Sequence, residues 1–400
     1  MRHYSIDKVL ASTLGALVIF GIIMISSVSV YESHQLTNEM VQKGLMESPT
    51  NSFYLWRHIL RVLIAVPIGI AVIYLPLQIW KKIALPFFAV TLLLLIFIFL
   101  PGIGANYGTS TSWILLPVIP SLQPAEFVKL ALIFYLAVWM EKRQELVASF
   151  QYGFIPFTVL LSVVVVLLAM QPDFGSVLVI SVIAASMFFI AGGSVLHIFS
   201  GGLLAAFMAY PIIMSKEYLR NRFLTFLHPD LDPLNIGFQI KQALIAIGNG
   251  GFFGVGFGKS VQKFGYLPEV QGDTIFAATA EELGFFRIVL LILAYFIIAY
   301  RGYGIARRAP DRFSMLVAVG ITSWLTFQAI INIGVNLAIL PLTGLTLPFI
   351  SYGGSSLIAT LIGAGVLLNI SRYAEPDTHF ISRRGIRGSH YPQSRRQLRT

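Results

Sequence analysis

The chain has 400 residues, of which 56% are hydrophobic and only 12% charged, with a mean hydropathy of +0.78, far from the composition of a soluble domain. It reads as an all-α, polytopic integral membrane protein. Cysteine is absent, which excludes a disulfide framework and thiolate metal sites. The net charge of +10 sits in interhelical connections and the tail, which excludes the nucleic-acid partner that such a charge suggests in a soluble protein.

A bilayer core of about 30 Å takes roughly 20 mostly apolar residues per helix. Segments of that kind are expected, in chain order, at 8–30, 58–77, 83–101, 123–140, 153–170, 174–191, 196–214, 275–300, 313–336 and 353–371, ten transmembrane helices in all. The first is too long for a signal-peptide core and no small-residue cleavage site follows it, so it is expected to be retained.

Lysine and arginine in short loops stay on the cytoplasmic side. Arg2 and Lys8, Lys81 and Lys82, Lys142 and Arg143, the run Arg301, Arg307, Arg308 and Arg312, and the tail from Arg372 to Arg399 share one face if ten spans are correct. Both termini are then cytoplasmic. Residues 1–371 are expected to form the membrane domain. The tail 372–400, with Pro376 and Pro392 and no apolar period, is expected to be a basic, disordered cytoplasmic extension.

The outer face then carries 31–57, 102–122, a short turn at Gln171–Asp173, a large extracytoplasmic loop of about 215–274 between helices 7 and 8, and 337–352. Segment 31–57 shows nothing beyond a solvated loop. In 337–352 and just beyond, Pro341, Gly344, Pro348, Gly353 and Gly354 suit backbone that re-enters the membrane. The large loop is rich in glycine, and Phe252, Phe253, Phe257, Phe264 and Tyr266 argue against its being disordered. Its cations, Lys216, Arg220, Arg222, Lys241, Lys259 and Lys263, outnumber the acids Glu217, Asp230, Asp232, Glu269 and Asp273. On the outer side that excess runs against the topogenic rule, and a phosphate or diphosphate head group would account for it.

Ionisable groups in or at the lip of a span are costly and mark candidate sites. Glu126 and Lys129, three apart at the start of the fourth span, fit a structural ion pair as well as a substrate contact. Asp173 precedes a helix and suits a cap. Glu281 and Glu282 read as structural acids, with Arg287 placed to neutralise either. Asp273 has no basic residue within four positions, and a carboxylate at a membrane lip is suited to serve as a general base, with a helix cap as the alternative.

The strings QPAE (Gln123–Glu126), QPDFGS (Gln171–Ser176), SVQKFGYLPE (Ser260–Glu269), GDTIFAATAEELG (Gly272–Gly284) and GLTLPFISYGGSS (Gly344–Ser356) resemble the signatures of the SEDS family, the shape, elongation, division and sporulation proteins FtsW, RodA and SpoVE. The resemblance runs in order through nearly all the spans, and SVQK followed by YLPE is more similar to the FtsW branch. It implies a lipid II polymerase, a peptidoglycan glycosyltransferase for cell division on the outer face of the bacterial cytoplasmic membrane, at the division septum. It places the catalytic aspartate at Asp273, the functional glutamate at Glu126 with Lys129 one turn on, and the loop tryptophan at Trp113. Ser351, Tyr352 and Gly353 in the last string, with Asp173 and Glu281, are expected to line or support the site. Two positions depart from the pattern: Ser112 stands where the family commonly has arginine, and Gln271-Gly272-Asp273-Thr274 where it commonly has His-Thr-Asp-Phe.

Residues and resemblance together give a mechanism. Asp273 takes a proton from the acceptor sugar's 4-hydroxyl as that oxygen attacks the anomeric carbon of the lipid-linked donor, and undecaprenyl diphosphate leaves. Lys129, Arg222, Lys241, Lys259 and Lys263 are the candidates to neutralise the diphosphate. No cofactor is required, and a divalent cation, Mg or Mn, is compatible with the charge, although no metal cage is evident. The implied partners are lipid II, a class B penicillin-binding protein (an FtsI-like transpeptidase) and other divisome proteins. The rivals are a lipid II flippase, whose site would lie near the midplane, a RodA-like elongation glycosyltransferase, and a non-catalytic scaffold.

Overall fold

The computed structural model describes residues 4–100, 104–107, 110–114, 122–215, 217–228, 230, 232 and 236–374. Arg2, Lys216 and the tail beyond Ala374 lie outside the described residues. The helices are α1 (Lys8–Val28), α2 (Val30–Gln42), α3 (Phe53–Tyr74), α4 (Leu77–Phe97), α5 (Pro124–Arg143), α6 (Ile155–Met170), α7 (Phe174–Ile190), α8 (Val195–Ser215), α9 (Glu217–Leu227), α10 (Ile236–Gly250), α11 (Ile275–Arg307), α12 (Arg312–Asn336) and α13 (Gly354–Ser371). Each of the ten expected segments falls on a helix. Seven helical stretches among the described residues are long and apolar enough to cross a membrane: α1, α3, α4, Phe150–Met170, α11, α12 and α13.

Three departures from the expected outline matter for the site. Segment 31–57 is not merely a solvated loop: α2 occupies much of it and docks on α3, with Tyr54 N donating to Ser33 Oγ at 3.2 Å. The large loop 215–274 is helical over α9 and α10, and its glycine-rich second half is irregular. Between α4 and α5, β1 (Gly104–Tyr107) and β2 (Ser110–Ile114) form a small antiparallel hairpin in which Ala105 faces Trp113.

The hydrophobic core is centred on α5, α12 and α13, which bury most of their surface. Their polar side chains therefore face other helices and need partners there. By contrast Phe199, Leu203 and Phe207 of α8 are exposed, as lipid-facing residues are.

The eighth expected span is a broken helix. Gly284 has φ 78° and ψ 172° inside α11, a conformation open to glycine at little cost. The interruption frees backbone groups that the glycine-rich loop then takes up. Val255 N and Gly256 N donate to the carbonyls of Glu281 and Glu282 at 3.0 and 3.1 Å, and Phe285 N and Phe286 N donate to those of Gly251 and Phe252 at 2.8 and 3.2 Å. Backbone lies against backbone here, and a Cβ at Gly254 would stand 2.2 Å from Glu282 O. The string GNGGFFG owes its glycines to this contact.

Charged contacts separate the two ends of the bundle. At one end, Arg301 pairs with Asp7 at 2.6 Å, Lys81 with Glu141 at 2.6 Å, and Arg312 and Arg372 donate to the carbonyls of Ala191 and Ile73 at 2.6 and 3.0 Å. Two cavities of about 360 and 450 Å³ open there, lined by Asp7, Lys8 and Arg301 and by Lys81, Glu141 and Asp311. Asp273, the start of α3 and the start of α13 lie at the other end.

Candidate active site

Asp273 closes a tight turn that precedes α11. Glu269 has φ 51°, Gly272 N donates to Glu269 O at 2.8 Å, and the Thr274 hydroxyl donates to Pro268 O at 2.6 Å. Thr274, one of the departures from the family pattern, thus ties the turn to itself. From outside, Tyr352 N donates to Gln271 O at 2.8 Å. On α12, Asn332 Nδ2 and Asn336 Nδ2 each donate to Asp273 O at 2.8 Å.

The carboxyl held by this turn is short of donors. Asp273 is half-buried, and its Oδ1 is shielded and has no hydrogen-bond partner. Burial, and next the neighbouring charge of Glu269, push its pKa up to about 7, against the pull of its own backbone N–H, Arg222 on α9 and the Gln239 side chain on α10. A carboxyl so placed changes charge near neutral pH. Beside it, Glu32 on α2 is raised to about 7, mainly by burial, although the Gln271 side chain hydrogen-bonds it. Glu269 is raised by burial.

Across the turn stands an aromatic and cationic group. Tyr54 meets Tyr352 edge-on at 5.0 Å, and the Arg61 guanidinium lies 4.0 Å over the Tyr352 ring. Arg61 also lies against the start of α13, where a Cβ on Gly354 would come 3.1 Å from its Nε. Ser351 is turned inward and accepts from Leu347 N at 2.8 Å. Gly353 is the N-cap of α13. This stretch does fold into the bundle: Gln328 Nε2 donates to Thr346 O at 3.0 Å, the Tyr295 hydroxyl donates to Pro348 O at 2.6 Å, and Gly21 of α1 packs on Phe349 and Ile350.

Glu126 and Lys129 form a second centre. Lys129 is completely buried, and its Nζ donates to Glu126 Oε1 and to Gln328 Oε1, both at 2.8 Å. Gln328 Oε1 also accepts from Trp324 Nε1 at 2.8 Å. Asp173 caps α7 by accepting from Ser176 N at 3.0 Å, within the electrostatic reach of Lys129 and Glu126. Trp113, expected in a loop, is on β2 and half-buried. Its neighbour Ser112 donates to Gln171 O at 3.4 Å, so the hairpin sits at the Asp173 corner. Gln328, Asn332 and Asn336 recur every fourth residue along α12 and join this centre to Asp273.

Several expected ligands are placed elsewhere. Lys263 is buried in an ion pair with Glu282 at 3.0 Å and donates to Gly258 O and Ser27 Oγ, so its charge is already met. Glu281 accepts from the Ser260 hydroxyl and from Gln262 N. Arg287 neutralises neither acid; its Nη1 donates to the carbonyls of Phe253 and Leu283. Lys241 pairs with Asp230 at the surface, and Lys259 is exposed. Of the four diphosphate ligands expected in the loop, Arg222 is the one whose charge acts on Asp273. Among the described residues no group of three or more His, Cys, Asp or Glu side chains could hold a metal ion.

Sequence reasoning missed Glu32, Tyr54, Arg61, Gln239 and the α12 stripe. The spacing of Gln328, Asn332 and Asn336 within an apolar span was a legible signal, as was an arginine inside the second span. Glu32 and Gln239 carried none, because only the fold brings α2 and α10 to the turn.

A family model described as "Cell cycle protein", covering FtsW, RodA and SpoVE, matches residues 7–376. The chain belongs to this family. It is 36% identical over 365 residues to a probable peptidoglycan glycosyltransferase FtsW of Trichlorobacter lovleyi, covering 91% of this chain and 93% of that one. Stage V sporulation protein E of Bacillus subtilis is 42% identical over 295 residues, covering 74% and 80%. Among solved structures, a chain of a peptidoglycan synthase complex superposes with a TM-score of 0.74 at 28% identity, covering 93% of this chain and 99% of that one. The rod shape determining protein RodA of Thermus thermophilus gives 0.66 at 27%, covering 93% and 98%. Membership of the FtsW, RodA and SpoVE family, with the long apolar helices, makes this a multi-pass membrane protein.

Proposed function

We propose that the chain is a peptidoglycan glycosyltransferase of the FtsW type, which polymerises lipid II with Asp273 as general base. The observation that carries the assignment is the Asp273 carboxyl, fixed by its backbone, with an unpartnered Oδ1 and a pKa pushed up to about 7. A general base works best when it titrates near the operating pH. The family's named relatives supply the reaction class.

In the proposed step the Asp273 carboxylate takes the proton of the acceptor's 4-hydroxyl. The acceptor oxygen forms a bond to the donor's anomeric carbon. The bond from that carbon to the diphosphate oxygen breaks, and its electron pair leaves with undecaprenyl diphosphate. Diphosphate is a good leaving group and needs charge neutralisation more than a general acid. Arg222 and Arg61, which flank the turn, are assigned that task. Lys129 acts through Glu126 and Gln328 rather than on the phosphate, because it is wholly enclosed by them. Among the described residues there is no cage for a divalent cation.

The basic clusters at the opposite end support a cytoplasmic assignment for that end and an outer-face position for Asp273. Similarity to a chain of a peptidoglycan synthase complex supports a penicillin-binding protein partner, and the FtsW-type relatives support a place at the septum. The test uses purified full-length protein, with its partner, and fluorescent lipid II. Asp273→Asn is expected to lose polymerisation by about 10²- to 10⁴-fold while remaining folded. Polymerisation at the wild-type rate would falsify the assignment.

A further inference from the structure

Two neighbouring side chains of α12 are spent on one backbone atom. Asn332 Nδ2 and Asn336 Nδ2, one turn apart, both donate to Asp273 O at 2.8 Å. Asn332 Nδ2 also reaches Leu345 O at 2.7 Å, and Asn336 Nδ2 reaches Asn332 O at 2.9 Å. Each side chain is only 1% exposed. The other end of each amide is left unmet, since Oδ1 of both residues is buried without a hydrogen-bond partner.

That pattern is a poor way to stabilise a helix pair. A buried carbonyl oxygen without a donor is unfavourable, and natural folds rarely leave one. Here the fold leaves two, side by side, and keeps two donors on a single acceptor. The acceptor is the carbonyl of the residue assigned as base. A regular helix start would use it for residue 277, but Ala277 N donates to Thr274 O instead, at 3.0 Å. The Asp273 carbonyl is thus drawn out of α11 and pinned to α12, while the turn before it is fixed by Tyr352 N on Gln271 O.

We propose that Asn332 and Asn336 are positioning residues for Asp273: a two-donor clamp on its backbone that sets the direction from which the carboxyl meets the acceptor hydroxyl. The inference rests on the reading of Asp273 as general base. The clamp makes no contact with substrate. It places the base, and misplacement of a reacting group by about 1 Å can cost on the order of 100-fold in rate.

The test is steady-state lipid II polymerisation by the full-length protein with its partner, comparing wild type, Asn332→Ala/Asn336→Ala, Asn332→Leu/Asn336→Leu, Asp273→Asn, and Asp273→Asn combined with each pair. The leucine pair keeps a branched side chain that fills the site and removes the amide donors together with the unpartnered oxygens, so it stands in if the alanine pair fails to fold. A clamp lowers kcat by about 10- to 100-fold and leaves KM within about threefold and the melting temperature near wild type. It adds nothing to the loss already caused by Asp273→Asn, because residues that act through one another are non-additive. Unchanged kcat in a folded pair variant, with Asp273→Asn inactive, overturns the clamp and leaves the base assignment standing. A parallel fall in kcat, KM fit and melting temperature shows a structural role and also overturns it. Activity in Asp273→Asn itself overturns both.

Discussion

Asp273 and Glu282 are acidic residues nine positions apart on the same turn and helix, and the fold treats them in opposite ways. Glu282 accepts from Ser27 Oγ at 2.6 Å, Lys263 Nζ at 3.0 Å and Gly258 N at 3.1 Å, and is fully buried. Its neighbour Glu281 is bound by the Ser260 hydroxyl and backbone N–H groups. Asp273 keeps an unpartnered oxygen, with a second acid, Glu269, beside it and the pull of Arg222 too weak to compensate. A carboxylate with its acceptors filled holds the structure together. One left short of donors changes charge near neutral pH and is available for proton transfer.

The contrast predicts opposite phenotypes. The largest effect on activity belongs to Asp273→Asn, the loss of about 10²- to 10⁴-fold already given, with a melting temperature at or above wild type because a costly buried carboxyl is removed. Next comes Glu282→Ala, which strands the Lys263 ammonium in the interior. Removing one member of a buried pair costs about 3–5 kcal/mol, so thermal unfolding in detergent should shift sharply down, and Glu282→Ala/Lys263→Met should recover much of it. If Glu282→Ala melts like wild type, the lock between the glycine-rich loop, α1 and α11 does not exist. The smallest effects are expected from Lys241→Ala and Lys259→Ala. Lys241 is engaged with Asp230 at the surface and Lys259 is solvent-facing, and exposed charges contribute little. Polymerisation within about twofold of wild type is expected for both, and a large fall in either would restore it as a diphosphate ligand.

Much of this was legible in the sequence. Apolar segments located the helices, and Asp273 stood out as an acid with no nearby cation. The weaker readings failed where sign and spacing were used without depth. A count of loop lysines suggested an anion site, but Lys263 lies in a glycine-rich turn that folds onto α11, and its charge is consumed by Glu282. Arg287 was read as the partner of Glu281 or Glu282, but it lies five residues beyond Glu282, past the i, i+4 spacing. Gly284 also breaks the helix between them. Segment 31–57 looked inert because a half-polar helix such as α2 carries no membrane signal, and the burial of Glu32 against Gln271 depends on a contact more than two hundred residues away. The stripe of Gln328, Asn332 and Asn336 was visible in the pattern, and its target, one backbone carbonyl, was not.

The pH dependence of lipid II polymerisation, measured from about pH 5 to 9 with the partner present, tests the central claim most directly. With the Asp273 pKa raised to about 7, the carboxylate form is lost on acidification. The rate should be full above neutrality, half-maximal near pH 7 and fall about tenfold per unit below it. A profile flat down to pH 5, with the protein still folded, would contradict the account, because an ordinary surface aspartate stays ionised throughout that range.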